Sequence, residues 1–580
     1  MDAQQAVRFE PEDKPPKALS LGLGLQMAGL SVAGIVITPV VVTKAAGIEG
    51  AYVTWAVFAA LLVSGASTVI QAVKVGPVGA GHVLLMGTSG AFISVCVAAL
   101  AGGGPGLMAM LVLASSLVQC LLAAKLALLR RIVTPVVAGT VIMLIPVTVL
   151  PIIYGMLTHA QDTTETNAAA ICVLVTLLVS TGLAMRARGA MRLWTPMAGV
   201  LAGTLAAVFL GIFDPTPILE AAWIGMPEVA WPDVAFVMGA EFWALLPAFI
   251  MVTIVGMIET IGDSIAIQRV SRRTPLSPDY RVVQGAIYAD GLGNFLSGAF
   301  ATVPNTTYSS SVSITELTGV ASRDVGLFLG ATLCVLAFFP KFAALFVALP
   351  EPVAGAFLML IIGLLFTVGI KVLTRDGLDH RKAVIVSLSL GVGIGFQYGL
   401  VFPNLFQGWL GQLLENGMTS GGLTAILLSA LWELLSPRRI TYQSALQPAV
   451  IAELEGLLRA FAQKRGWCRR ATDRLCLASE EVILNLLDDA QGEQAPTRYL
   501  RFALRDVDDA AELEYIASLG EENLENQILL LSDTPDDRHA HEVSLRILKS
   551  LASRVQHQKY YGIDIISLKV LRTSGAGGGT

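Results

Sequence analysis

The chain is 580 residues long, 54% hydrophobic and only 14% charged, with a mean hydropathy of +0.67. Soluble globular proteins carry about 25% charged residues, so an ordinary cytosolic enzyme is excluded. Residues 1–439 hold 23 Lys+Arg and 23 Asp+Glu, whereas residues 440–580 hold 16 and 21, so the net charge of −5 arises in the tail. The pattern is that of a polytopic membrane domain followed by a water-soluble one. With no basic excess and no Lys/Arg-rich arm, nucleic acid is not expected as a partner.

Residues 1–17 are acidic, Pro-containing and polar, so no cleavable signal peptide is expected and residues 1–19 read as a cytoplasmic N-terminal tail. A hydrocarbon core of about 30 Å needs about 20 apolar residues per helix. Such segments lie at 20–43, 51–73, 105–129, 132–156, 167–185 and 193–212. After a longer loop at 213–240 they resume at 241–268, 321–339, 353–370, 382–398 and 421–436. Between them lie the Gly-rich stretch 76–100 and the stretch 282–318, an amphipathic helix followed by a broken segment. The expectation is fourteen transmembrane segments over residues 20–436.

Charge placement agrees with this count. With the N-terminus cytoplasmic, the even-numbered turns should collect Lys and Arg. They carry Lys74; Arg130 and Arg131; Arg186, Arg188 and Arg192; Arg269, Arg272, Arg273 and Arg281; Arg323; Lys371, Arg375, Arg381 and Lys382; and Arg438 and Arg439. The odd-numbered turns have only Lys44 and Lys341. The 213–240 loop, with Asp214, Glu220, Glu228 and Asp233 and no Lys or Arg, reads as external. Both termini are therefore expected in the cytoplasm and the protein in the inner membrane.

Segments 3 and 10 are short and broken. One is Val75-Gly-Pro-Val-Gly-Ala-Gly-His82 continuing to Phe92, and the other is Thr302-Val-Pro-Asn-Thr-Thr-Tyr-Ser-Ser-Ser-Val-Ser-Ile314. They occupy equivalent places in two runs of seven, and seven is odd. The second run then enters from the opposite side, which is the mark of an inverted repeat with a mid-membrane site between discontinuous helices. Backbone groups freed there must line protein or a cavity. The fold class expected is an all-α polytopic membrane protein built as a 7+7 inverted repeat, with a C-terminal soluble α+β domain.

Most carboxylates before residue 440 lie in loops; Glu259, Asp263, Asp290 and Glu316 do not. Glu259 and Asp263 are spaced i,i+4 and share one helical face. Ionised carboxylates at membrane depth are costly and face a cavity or partner. Two on one face repel, which favours uptake of a proton. Cys96, Cys120, Cys172 and Cys334 sit in apolar runs and, with Cys468 and Cys476, show no metal-ligand spacing. No metal or other cofactor is expected, protons being the coupling ion.

In the tail, residues 437–447 read as a linker and 448–572 as a folded domain. Helices are expected at 448–466, 471–490 and 540–556, strands at 498–506, 512–518 and 563–571, and a flexible end at 573–580.

These residues resemble a known family. Leu25-Gln26, Gly87-Thr-Ser-Gly-Ala-Phe-Ile93, Arg130-Arg-Ile-Val-Thr-Pro-Val-Val-Ala-Gly-Thr140, Glu259-Thr-Ile-Gly-Asp263, Pro304-Asn-Thr-Thr-Tyr308 and Leu317-Thr-Gly-Val-Ala-Ser-Arg323 are, in this order and spacing, similar to motifs of the nucleobase–ascorbate transporters. The resemblance implies a core of segments 1–4 and 8–11, a gate of segments 5–7 and 12–14, a homodimer in the lipid bilayer, and proton symport of a small heterocyclic substrate. It implies that Glu259 binds substrate, that Asp263 ties the eighth helix to the first and relays protons, and that Gly90 and Ala91 offer backbone contacts. Ser89, Thr307, Tyr308, Ser310 and Ser311 complete the expected substrate site, and Gln26 joins the two carboxylates in proton coupling.

The chain departs from the family pattern at Ser310-Ser311, where uracil carriers have Glu-Asn and purine carriers Gln-Asn, at Gly90 in place of an aromatic residue, and at Met27 in place of His. The smaller side chains favour a purine or xanthine over uracil. The tail, with Leu477-Ala-Ser-Glu-Glu-Val-Ile-Leu-Asn485, resembles the histidine-kinase-like ATPase fold of anti-sigma kinases, which would map Glu481 and Asn485 to its nucleotide site. Leu531-Ser-Asp-Thr-Pro-Asp-Asp537 stands where the Gly-rich nucleotide loop belongs, so a degenerate regulatory or dimer-forming module is expected rather than an ATP/Mg site. Two alternatives stand beside the carrier: a membrane sensor with a kinase or anti-sigma-like output, and an anion carrier of the sulfate-permease kind.

Overall fold

Where apolar residues run on for about twenty positions, the computed structural model has a helix. It describes residues 7–126, 134–158, 163–188, 191, 194–228, 238–274, 277–374, 377–401, 411, 414–435, 439–488, 499–507, 510–517, 547–560 and 563–572. They divide into two units, Met1–Arg273 with Val282–Trp432, and Thr274–Arg281 with Glu433–Thr580. Arg130, Arg131, Arg192, Asp233, Arg375, Arg438, the Leu531–Asp537 stretch, the beginning of the 540–556 helix and the end at 573–580 lie outside the described residues.

The first unit begins with α1 (Lys17–Ala45) and α2 (Ala51–Val73), followed by β1 (Leu85–Thr88) and a 3-10 turn at Gly90–Phe92 that leads into α3 (Ile93–Ala124). Non-helical backbone at Gly103 and at Gly104 (φ 69°), just before Pro105, breaks α3 and separates the third and fourth expected segments. Next come α4 (Pro135–Thr158), α5 (Thr163–Arg186), α6 (Thr195–Phe209), a short α7 (Thr216–Glu220) and α8 (Ala240–Val270). The stretch 282–318 resolves into α9 (Tyr280–Ala299), β2 (Asn305–Tyr308) and α10 (Ser310–Thr318). Then follow α11 (Arg323–Ala337), α12 (Pro340–Val347), α13 (Glu351–Thr374), α14 (His380–Gln397) and α15 (Gly417–Leu435).

Among the described residues eight helices are long and apolar enough to cross a membrane, or nine if α11 and α12, bent by 81°, form one span. The number falls below fourteen for local reasons. Segments 3 and 10 are part strand, segments 3 and 4 merge within α3, and α6 has only 15 residues. Helix α2 packs along α11, and α4 along α13. The first crossing depends on two small residues: a Cβ on Gly330 would stand 2.6 Å from the Gly65 carbonyl, and one on Gly65 2.6 Å from that of Gly330.

The two broken segments pair with each other. β1 and β2 form an antiparallel ladder, Leu85↔Tyr308, Met86↔Thr307, Gly87↔Thr306 and Thr88↔Asn305, and the Ser89 amide donates to the Pro304 carbonyl at 2.8 Å. The turn leading into β2 is satisfied by α2. Trp55 Nε1 donates to the Phe300 carbonyl at 2.9 Å, the Tyr52 hydroxyl to that of Ala301 at 2.8 Å, and Thr302 Oγ1 returns a bond to the Ala56 carbonyl at 2.7 Å. Irregular backbone in this part of the unit is thus enclosed by protein.

The second unit has a five-stranded antiparallel sheet of order β3-β4-β5-β7-β6. Its elements are β3 (Ile440–Ala445), α16 (Ala449–Lys464), α17 (Arg469–Asp488), β4 (Tyr499–Val507), β5 (Ala510–Ala517), β6 (Arg554–Tyr560) and β7 (Ile563–Leu571). Val450, Leu454, Leu458 and Phe461 from α16 and Leu475, Val482 and Leu486 from α17 share a core with Phe502, Leu513, Tyr515 and Leu568 of the sheet. Burial pushes the Cys476 thiol up to about 11. Two expectations are corrected here. The linker at 437–447 contains β3, held by backbone pairing with β4. The helix expected through 556 gives way by Arg554 to β6, because the Arg554–Tyr560 stretch pairs with β7 along its length.

Candidate functional site

Helix α8 presents Glu259, Thr260 and Asp263 to β2 and the start of α10. Asp263, buried, accepts from Thr307 Oγ1 at 2.8 Å and from Ser309 Oγ at 2.6 Å. Glu259, half-buried, accepts among the described residues only a long bond from Thr306 Oγ1, at 3.4 Å. One carboxylate is locked into the protein and the other is held loosely. The first sits in a site built for it, so the geometry leaves Glu259 as the group able to take a further partner.

Several expected site residues converge on the ladder. Ser89 and Ala91 are buried and Gly90 half-buried; a Cβ on Gly90 would meet only Ile362 of α13, at 3.6 Å. The Tyr308 hydroxyl donates to the Thr88 carbonyl at 2.8 Å, and Ser311 Oγ donates to the Tyr308 carbonyl at 2.8 Å. Among the described residues, Ser89 Oγ, Ser310 Oγ and both side-chain polar atoms of Asn305 are buried without a hydrogen-bond partner. Such groups cost about 1–3 kcal/mol each when unpaired, and these three residues stand at the two breaks, though similar serine hydroxyls occur elsewhere in the unit, at Ser64 and Ser297 among others.

Two expectations change. Among the described residues Asp263 ties α8 to Thr307 and Ser309, not to α1. Gln26 is exposed on α1 and makes no hydrogen bond to Glu259 or Asp263 among the described residues. Glu316, on α10, is also exposed.

A second polar cluster lies behind the first. Asp290, fully buried on α9, accepts from Thr260 Oγ1 at 2.9 Å and from Gln119 Nε2 at 2.8 Å. Asn294 donates to Gln119 Oε1 at 2.9 Å and accepts from the Asn305 amide at 2.6 Å. Thr307 Oγ1 stands 3.5 Å from Thr260 Oγ1, so hydroxyls run between Asp290 and Asp263. Gln119, Thr260 and Asn294 were not among the expected site residues. The i,i+4 pair Asp290 and Asn294 in a sparsely charged helix was the available sign.

In the tail, Asn485 is turned inward, its Nδ2 donating to the Glu481 carbonyl at 2.6 Å within α17.

Long apolar helices around a paired break, with carboxylates facing it, define an integral membrane transporter rather than an enzyme. The chain belongs to the nucleobase–ascorbate transporter family: the family model Xan_ur_permease, described as "Permease family", matches residues 19–401. It is similar to the xanthine permease XanP of Escherichia coli (strain K12), 30% identical over 441 residues that cover 73% of this chain and 93% of that one. It is also similar to the nucleobase transporter PlUacP of Paenibacillus larvae subsp. larvae, 29% identical over 335 residues, covering 55% and 73% respectively. Among solved structures it resembles the transmembrane domain of a cyanobacterium bicarbonate transporter, BicA, at 14% identity, with a TM-score of 0.43 and coverage of 73% of this chain and 100% of that one.

Proposed function

We propose that this protein is a proton-coupled symporter of a nucleobase, with a purine of the xanthine type preferred to uracil. The observation that carries the reading is the asymmetry of the two carboxylates: Asp263 has two short internal donors, whereas Glu259 has one long one. A base with ring N–H groups supplies the donors Glu259 lacks. Backbone at Gly90 and Ala91 and the hydroxyls of Ser89, Ser310 and Ser311, with Thr307 and Tyr308 as support, serve its other edges. Protonation of Glu259, with Asp263 beside it, couples the proton to the cargo. The small Gly90 and Ser310 leave room for the second ring of a purine, and a xanthine permease matched over 93% of its length is among the relatives.

The rest of the reading follows the family. The chain spans the inner membrane fourteen times as a 7+7 inverted repeat, with both termini cytoplasmic, and works as a homodimer whose core of segments 1–4 and 8–11 moves against the gate. The tail serves regulation or dimer formation without ATP or Mg at Glu481 and Asn485.

The test is uptake of labelled xanthine and uracil by proteoliposomes holding the purified chain, with and without an imposed proton gradient. Gradient-driven xanthine uptake that a protonophore abolishes is the expected result. Uptake indifferent to the gradient would remove the coupling, and preference for uracil over every purine would remove the substrate choice.

A further inference from the structure

Residues 7–13 are not loosely attached. The amides of Arg8 and Phe9 donate to the Gly319 carbonyl at 2.8 and 3.2 Å, the Ala321 amide to that of Phe9 at 2.8 Å, and the Arg323 amide to that of Pro11 at 3.1 Å. Phe9 and Val320 form a parallel β-bridge, and Ser322 Oγ donates to the Asp13 carbonyl at 2.7 Å. This polar stretch thereby joins the corner between α10 and α11.

The same residues also reach the end of α8. The Arg273 amide donates to Glu10 Oε1 at 3.0 Å; its guanidinium donates to the Val7 carbonyl at 3.1 Å, the Arg8 carbonyl at 2.8 Å and Asp13 Oδ2 at 3.0 Å. Arg272 pairs with Glu10 at 3.6 Å and Glu12 at 3.1 Å. A third tie runs through Arg323, which pairs with Glu12 at 3.4 Å and donates from Nε to the Gly81 carbonyl at 2.8 Å, just ahead of β1. Single exposed ion pairs contribute little. Here three arginines on two elements, Arg272 and Arg273 at the end of α8 and Arg323 at the start of α11, converge on three acidic residues of one short segment, which backbone hydrogen bonds already hold in place.

The three anchor points lie within about ten residues of Asp263, Ser309 and Ser89, one on each site-bearing segment. We propose that residues 7–13 are a strap that holds α8, the β1 break and the β2–α10 break in mutual register and moves with them as one body. Glu10, Glu12 and Asp13 are positioning residues that act on the site without touching cargo. This rests on the reading of these three segments as the substrate-bearing ones.

Two experiments on the purified full chain test it. In a Cys468→Ser background, Phe9→Cys with Val320→Cys places two thiols across a β-bridge, within reach of a disulfide. Uptake by the oxidised protein within about twofold of the reduced form is expected. Loss of uptake on oxidation, restored by reductant, would show that the strap must release and would overturn the proposal. Separately, Arg273→Ala with Glu12→Ala should raise the xanthine KM about tenfold, worth about 1.4 kcal/mol, and speed amide exchange at Ala321 and Arg323 and also at Ser89. Faster exchange confined to 319–323, with Ser89 unchanged, would reduce the strap to local packing. Exchange needs no substrate, so if the wild-type chain carries no nucleobase, the substrate reading fails and the exchange at Ser89 still decides the strap.

Discussion

The ring of Tyr308 covers Gly87: a Cβ on Gly87 would stand 2.5 Å from Tyr308 Cζ. The two residues belong to opposite strands of the β1·β2 ladder, and the Tyr308 hydroxyl reaches on to the Thr88 carbonyl. No rotation of a methyl group relieves such an approach. Gly87→Ala should displace the ring, cost about 1–3 kcal/mol and weaken xanthine binding. Adding Tyr308→Leu should recover part of the lost thermal stability. Wild-type stability in Gly87→Ala alone would contradict the close packing.

Glu259→Gln should abolish nucleobase binding while leaving the chain folded and inserted. The substitution keeps the size of the side chain and removes its charge. Because Glu259 makes, among the described residues, only the long hydrogen bond with Thr306, little of the internal hydrogen bonding depends on it. Equilibrium binding to detergent-solubilised protein, beside a thermal melt, separates the two effects. Normal affinity in the variant would remove Glu259 from the site.

Asp290→Asn should act in the opposite way, on stability first. In a fully buried place its Oδ2 accepts from Thr260 and Gln119 while its Oδ1 faces Asn294 Nδ2 at 3.5 Å, so an asparagine that keeps the first two bonds sets its own amide donor against that of Asn294. A loss of roughly 1–3 kcal/mol is expected for the mismatch. Asp290→Asn should therefore melt earlier than Glu259→Gln, and a reversed order would count against the two clusters having different roles.

Ser310→Glu with Ser311→Asn should move preference toward uracil. Among the described residues Ser310 Oγ has no partner of its own and Ser311 Oγ reaches only the Tyr308 carbonyl. Longer side chains at this helix start bring polar atoms closer to Glu259 and fill the space left for a second ring. Competition between unlabelled uracil and labelled xanthine measures the change, and an unaltered ratio would place specificity elsewhere.

Removing residues 440–580 should leave a chain that still inserts and binds ligand, since the tail has an apolar core of its own. The separate tail should unfold cooperatively. In it a thiol reagent at pH 8 should modify the exposed Cys468 at once and spare Cys476, which is buried and whose thiol is pushed up to about 11. Rapid reaction of both would mean that the core does not form alone.

What could be read from the sequence was what local pattern encodes. The second helix was expected at 51–73 and is Ala51–Val73; the eighth was expected at 241–268 and is Ala240–Val270. The two breaks were marked by their Gly, Pro, Ser and Thr content. That they pair with each other was not legible, because a four-residue strand carries no register information about a partner in the other half of the chain. Asp290 stood out as a charge, but its partners Gln119 and Thr260 lie on other helices. Residues 7–13 read as a polar tail since nothing in their own composition announces the arginines that hold them. In the tail, β6 and the end of the preceding helix were confused because Arg554–Tyr560 owes its extended form to β7.

The ladder between the two breaks also bears on how the chain is made. Tyr308 and Thr88 are 220 positions apart. At about 5–20 residues per second, the ribosome needs roughly 10 to 45 s to deliver β2 after β1 has emerged. Through that interval Leu85–Thr88 has backbone groups without their partners in a setting that tolerates none exposed to lipid. The first half of the chain made by itself therefore lacks a finished interior, and the protein acquires its stable form only late in synthesis, when the second half arrives to close the first.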